Sequence, residues 1–221
     1  MSITSESVRE LLGSDDLGDR LRAVNQIREL EPSIGFELIQ IAVSDRNPRV
    51  RYSAISQFDT LGGENLDLSL QILRDRLLHD PEVDVQAAAA DSLGALKLTS
   101  AYADLQQVYQ TTNEWLLQFS IIATLGELGE PQAFELLKEA LNSDNDLVKT
   151  AAISSLGELG DSQSIPLLAT YVTNPDWQIR YRLVQALTRL GGAEAKSVLE
   201  TLVTDEVEAV ATEAKRSLAT V

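Results

Sequence analysis

The chain has 221 residues, room for one domain or a short repeat array, and its 44% hydrophobic and 24% charged residues are close to an average globular composition. Eighteen basic residues against thirty-four acidic ones leave a net charge of −16, which repels nucleic-acid phosphates and anionic lipid and argues against both as ligands. The lack of cysteine excludes disulfides, zinc–thiolate and iron–sulfur sites and a thiol nucleophile; no stretch nears the ~20 apolar residues of a membrane helix, and Met1-Ser-Ile-Thr-Ser-Glu lacks a signal-peptide pattern, so a cytoplasmic protein is expected.

A set of apolar residues returns along the chain, counted here from an anchor at position 0. The first copy is degenerate, with Asp19 at the anchor, Ala23 at +4, Ile27 at +8 and Leu30 at +11. A helix is predicted over 36–43. Asn47-Pro48 then marks the start of a second helix carrying Val50, Ala54, Phe58 and Leu61, with Gly62 at +12. Gly62-Gly63-Glu64-Asn65 reads as a longer loop before a helix at 66–78. Asp80-Pro81 opens the next, with Val85, Ala89, Leu93 and Leu96, closed by Lys97 in place of Gly. A helix at 101–109 is followed by Leu117, Ile121, Leu125, Leu128 and Gly129, and one at 133–141 by Val148, Ala152, Leu156, Leu159 and Gly160. After a helix at 165–171 come Asn174-Pro175 and Ile179, Leu183, Leu187, Leu190 and Gly191. A helix at 195–203 precedes Val210, Ala214, Leu218 and Val221.

Positions 0, +4, +8 and +11 form one stripe of an α-helix. The small residue at +4 admits a close neighbour, the Gly at +12 is expected to be a left-handed helix stop, and Asn or Asp before Pro is expected to cap a helix start. One two-helix unit cannot bury both its apolar faces, so the units must stack. The expected fold is all-α: an α-solenoid of about seven helical-hairpin repeats in a right-handed superhelix, with residues 1–221 as a single repeat domain capped at about 1–31 and 193–221.

A unit of about 31 residues reading Val-Arg/Lys-x-x-Ala-x-x-x-Leu-Gly-x-Leu-Gly, clearest at 117–129, 148–160 and 179–191, resembles the HEAT-like repeat of phycobilisome lyases over almost the whole chain. The length, the repeat phasing and the segments Tyr52-Ser-Ala-Ile-Ser and Val83-Asp-Val-Gln-Ala-Ala-Ala-Ala-Asp-Ser-Leu-Gly are similar to the NblB-type phycobilisome degradation proteins of cyanobacteria. The resemblance implies phycobiliproteins as partners, phycocyanin or allophycocyanin, met at the cytoplasmic face of thylakoids. It implies no resident cofactor, with phycocyanobilin as a transient contact. The related lyases carry paired tryptophans in helices that here read Gln118-Phe-Ser-Ile-Ile-Ala and Lys149-Thr-Ala-Ala-Ile-Ser.

No catalytic or metal-binding residue is expected. The one histidine, His79, reads as a helix-end residue near the negative dipole terminus, and a lone His makes no zinc site. Gly126-Glu-Leu-Gly129 and Gly157-Glu-Leu-Gly160 are repeat ends rather than phosphate loops. Glu127 and Glu158 share position +10 and read as a solvated ridge; Asp144 and Asp146 read as helix-start residues.

The expected function is therefore binding. In an α-solenoid the second helices line the concave face, and with 0, +4, +8 and +11 buried, positions −2, +2, +6 and sometimes +9 should face outward. Trp115 and Trp177 stand at −2, and Tyr52, Phe119 and Tyr181 at +2, so Trp115/Phe119 and Trp177/Tyr181 are i, i+4 pairs. Aromatics and Arg dominate binding hot spots. Arg49 beside Tyr52 and Arg182 beside Tyr181 complete the expected partner-binding set, since Arg reads carboxylates and stacks on planar π systems. Arg20, Arg51, Lys149 and Arg180, all at +1, are expected instead to bond an acidic loop residue of the next repeat. The leading expectation is a non-enzymatic adaptor promoting phycobilisome disassembly. The alternatives are a bilin lyase-type protein and a generic protein scaffold.

Overall fold

The computed structural model describes residues 3–220, so the last apolar position of the pattern, Val221, lies outside the described residues. The chain groups into two compact units, Met1–Ile121 and Ile122–Val221. Both are α-solenoid in construction, and no strand occurs among the described residues.

The first unit holds α1 (Ser5–Leu12), α2 (Leu17–Ile27), α3 (Pro32–Ala42), α4 (Pro48–Ile55), α5 (Phe58–Leu61), α6 (Leu66–His79), α7 (Val83–Ala95) and α8 (Tyr102–Thr111), and the start of α9 (Trp115–Leu128). Within it α2 packs on α4 and α4 on α7, forming a layer of second helices, while α1 packs on α3 and α6 on α8 in a layer of first helices. The second unit continues from α9 with α10 (Phe134–Ala140), α11 (Asp146–Leu159), α12 (Ser164–Ala169), α13 (Trp177–Leu190), α14 (Gly192–Leu202) and α15 (Glu208–Leu218). Here α11, α13 and α15 pack in sequence, and α12 lies on α14.

The predicted stripe is the core. Positions 0, +4 and +8 are buried from Val50 through Leu187, and +11 is buried at Leu61 and Leu128 but only half-buried at Leu96, Leu159 and Leu190. Gly129, Gly160 and Gly191 take positive φ, as expected of helix stops, and Lys97 takes φ 53° at the same position without glycine's freedom.

Four local expectations change. The second helix of repeat two is broken at Ser56-Gln57 into α4 and α5. The Gln57 side chain donates to the Val24 carbonyl (2.8 Å), and Phe58, where other repeats carry Leu or Ile, stacks edge-on against Phe36 with ring centroids 5.9 Å apart. Gly62 is not a left-handed stop: its φ is −65°, and a Cβ there would lie 2.6 Å from Leu96 Cδ1, so close packing selects glycine. The tetrapeptide 62–65, expected as a longer loop, forms a 3-10 turn over Gly62–Glu64. Asp80-Pro81 and Asn174-Pro175 do not begin their helices, which start at Val83 and Trp177 after Glu82 and Asp176; only Asn47-Pro48 is a cap with Pro at the first turn.

The reason lies in a register that the sequence pattern conceals. At position −5 every repeat places a short side-chain acceptor: Ser14, Asp45, Asp80, Thr112, Ser143, Asn174 and Asp205. Each accepts a hydrogen bond from the backbone N–H two residues on, at 2.7–3.2 Å. This turns the chain into the second helix, an Asx-type turn repeated down the array.

Small residues at +9 carry the other contact between second helices. A Cβ on Gly126 would lie 2.5 Å from Ser155 Cβ, and one on Gly157 would lie 2.6 Å from Ala186 Cα. At Gly126 and Gly157, position +9 therefore faces the next helix, whereas Arg28 and Asp59 at the same position are exposed. Polar residues at +7 reinforce the stack by reaching a +5 carbonyl of the preceding repeat: Ser92 to Ile55 (3.0 Å) and Ser155 to Ile122 (2.9 Å). Gly157→Ala should be destabilising, because the clash is with helix backbone. Overpacking of about 1–3 kcal/mol exceeds the ~1 kcal/mol gained in helix propensity, and urea unfolding of the variant measures the difference.

Candidate functional site

The Arg residues at +1 resolve first. Arg20 pairs with Asp45 (2.7 Å), Arg51 with Asp80 (2.8 Å) and Arg180 with Asp205 (2.6 Å), all three cations buried. Each also donates Nη1–H to a carbonyl in the turn of its own hairpin, Ser14, Asp45 and Asn174 respectively. One guanidinium thus ties its own turn to the next. Lys149 does not join the ladder: the next turn offers Asn174 instead of a carboxylate, and Lys149 pairs with Asp146 in its own helix. These cations are structural and unavailable to a ligand.

His79 ends α6, exposed, its Nδ1 3.3 Å from Asp75. The Asp75 carboxyl is held below the usual range by its bond from Arg76, with His79 adding to it. Burial pushes the phenols of Tyr102 and Tyr171 up, and Tyr171 donates to the Leu141 carbonyl. Among the described residues no group of three or more His, Asp or Glu could hold a metal ion, and no helix is long and apolar enough to cross a membrane.

The expected partner-binding residues lie on the second helices. In the first unit a groove of about 700 Å³ is walled by Pro48, Arg49 and Tyr52 of α4 and by Leu116 and Ser120 of α9, over a floor of Val85, Ala87 and Ala88 from α7. Tyr52 is 47% exposed and Arg49 exposed. In the second unit a groove of about 640 Å³ brings together Trp177, Tyr181 and Arg182 of α13 with Leu147 and Thr150 of α11 and Ala209 of α15. Trp177 is 42% exposed, Tyr181 half-buried, and Arg182 exposed with its Nη1 3.0 Å from Gln185 Oε1. Trp115 stands 45% exposed at the start of α9. Phe119, one turn on, is half-buried. The two tryptophans therefore do not fold away beneath the preceding turns.

The groove face differs in phase from the expectation. It is centred on −1, +2, +3 and +6, with −2 at its edge. Leu147 at −1, 53% exposed, is the most exposed large apolar residue there and was not anticipated, nor were Leu116, Gln178 and the acids Glu82 and Asp84; Asp91 stands at +6, on the expected face. Reading the repeat at −1, three residues before +2 and on the same helix face, would have found Asp84, Leu116, Leu147 and Gln178.

Comparison with known proteins agrees with the repeat architecture. Residues 70–157 and 137–219 each match the family described as HEAT repeats. No curated protein matches the chain. Among solved structures, the complex of CpcE and CpcF of phycocyanin lyase from Nostoc sp. PCC7120 aligns with a TM-score of 0.65 at 21% identity, covering 99% of this chain and 95% of that one. The archaeal HEAT-like repeats protein from Thermococcus onnurineus NA1 aligns with a TM-score of 0.60 at 16% identity, covering 100% and 97%. At these identities the likenesses speak for fold.

Proposed function

The chain belongs to the HEAT repeats family, and from that premise we propose that it is a non-enzymatic adaptor whose second-helix face binds phycobiliproteins, phycocyanin or allophycocyanin, and promotes phycobilisome disassembly. The observation that carries the reading is the pairing of aromatic and Arg residues in open grooves: exposed Arg49 with exposed Tyr52, and exposed Trp177 and Arg182 with half-buried Tyr181. Such side chains bring large contact area and bidentate hydrogen bonding to an interface. The choice of partner is supported by the likeness to a phycocyanin lyase structure and by the repeat motif.

Purified phycocyanin and allophycocyanin, titrated against the full chain, test it. Trp115→Ala with Trp177→Ala is expected to weaken binding tenfold or more, about 1.4 kcal/mol or more. Binding unchanged by the double variant removes this face from the proposal. A second reading, bilin handling, draws on the Arg182 and Tyr181 pair, suited to a propionate on a conjugated plane. Free phycocyanobilin would then change its visible absorption on mixing; a flat titration counts against it.

A further inference from the structure

We propose that the groove over α13 docks a protein segment in which an apolar side chain stands beside a carboxylate, the first received by Leu147 and Trp177 and the second by Arg182. The inference rests on the second-helix face being a protein-docking surface, and it specifies the chemistry that this face reads.

The apolar part of this groove is open to solvent. Leu147 of α11 is 53% exposed and Trp177 of α13 is 42% exposed. Ala209 of α15, also exposed, lines the groove on the other side of α13. Exposed apolar side chains grouped in one cleft mark an interaction surface. Covering Leu147 and Trp177 with a partner's apolar side chain removes that area from water.

Charge selects what stands beside the apolar group. Among the described residues the charged lining of the groove is Asp146, Asp176 and Arg182, and both acids are already used. Asp146 pairs with Lys149 at 3.0 Å, and Asp176 accepts the Gln178 N–H at 2.8 Å. Both stand at the N-termini of their helices, where the dipole favours an acid. Arg182 has no ion pair among the described residues; its Nη1 donates to the neutral Gln185 Oε1 at 3.0 Å. An incoming carboxylate makes a bond about twice as strong as a neutral acceptor does, and its two oxygens match the guanidinium fork. Trp177 and Arg182 are five residues apart on α13, roughly 7–8 Å along its axis. A Leu and a Glu four residues apart in a partner helix, ~6 Å plus the reach of their side chains, span that distance. A second copy of this chain also presents carboxylates, but two copies carrying −16 each repel one another.

That net charge makes the test sharp. At long range it favours a basic peptide, so a preference for an acidic one has to come from a local cation; at ~0.15 M salt the long-range part is screened beyond ~8 Å. The full chain is titrated at that salt with a labelled, acetylated and amidated helical peptide of Leu, Ala and Gln with one Glu four residues from the nearest Leu. Lys-for-Glu and Ser-for-Leu counterparts run alongside. The Glu peptide is expected to bind, and each counterpart at least tenfold more weakly. Arg182→Glu should weaken the Glu peptide at least tenfold and reverse the preference between the Glu and Lys peptides. Leu147→Ser should weaken the Glu peptide at least fivefold, with the unfolding midpoint unchanged because the residue lies at the surface. Arg28→Glu, the same charge change on an exposed residue of the first unit, should leave binding unchanged. No binding of the Glu peptide overturns the proposal, as do equal or tighter binding of the Lys peptide and equal effects of Arg182→Glu and Arg28→Glu. Self-association of the chain that Arg182→Glu abolishes overturns it in favour of a second copy. Peptide binding without phycobiliprotein capture refutes the partner named above and supports the groove; capture without peptide binding refutes the groove chemistry alone.

Discussion

Asp80→Ala is expected to lower the unfolding free energy by about 3–5 kcal/mol, the range for stranding one member of a buried ion pair. Arg51, 9% exposed at its side chain, would keep its charge inside the turn layer with no carboxylate to receive Nε–H and Nη2–H. The same change deletes the acceptor for the Glu82 N–H, which shapes the entry to α7. Urea unfolding measures the loss. Asp80→Asn, which retains an oxygen acceptor, should lose less, and the gap between the two isolates the charge. Acid titration carries the same signature. Burial works against the Asp80 carboxylate, but the bonds from Arg51 and the Glu82 N–H outweigh it and hold its pKa below the ordinary 3.8. Asp205 is lowered too, chiefly by Arg180. In both cases the unfolded chain binds protons more tightly, so stability rises with pH. The contribution is complete above pH 3.8 and disappears as pH falls below it through the folded-state values. Asp80→Ala should therefore flatten the acid limb of the stability profile.

Phe58→Ala should be of similar size, about 3–5 kcal/mol, since it empties a fully buried aromatic site. The ring begins α5, after the break that Gln57 makes, and packs edge-on to Phe36. Truncation would therefore loosen both helices of the second repeat. Phe58→Leu, the residue at this position in Leu93, Leu125, Leu156 and Leu187, should recover much of the loss. Hydrogen exchange is expected to rise first across α3 to α5, because each repeat leans only on its neighbours. Uniform weakening across the whole chain would contradict that local coupling.

The hairpin order, the buried stripe and the glycine stops were legible without coordinates, because each is a property of one helix read at a 3.6-residue period. Val148, Ala152 and Leu156 lie on one face whatever surrounds them, and Gly160 ends their helix by its own backbone freedom. The +1 cation ladder was legible in part for the same reason, since the repetition of Arg20, Arg51 and Arg180 is visible in the primary structure even though its partners, 25 to 29 residues on, are not marked as such. What depended on packing was everything in which two helices meet. Asp80 looks like a cap beside its proline, and only the packed hairpins reveal that it also receives Arg51 of the preceding repeat. Gly62 and Gly126 look like punctuation until Leu96 and Ser155 are brought well inside van der Waals contact of the missing Cβ. The outward face followed the same rule. Its phase could not be set from one helix, because which residues a second helix buries depends on the neighbour it meets, as Gly126 meets Ser155 and Gly157 meets Ala186, and the remainder, Leu147 and Trp177 among them, are left to meet a partner.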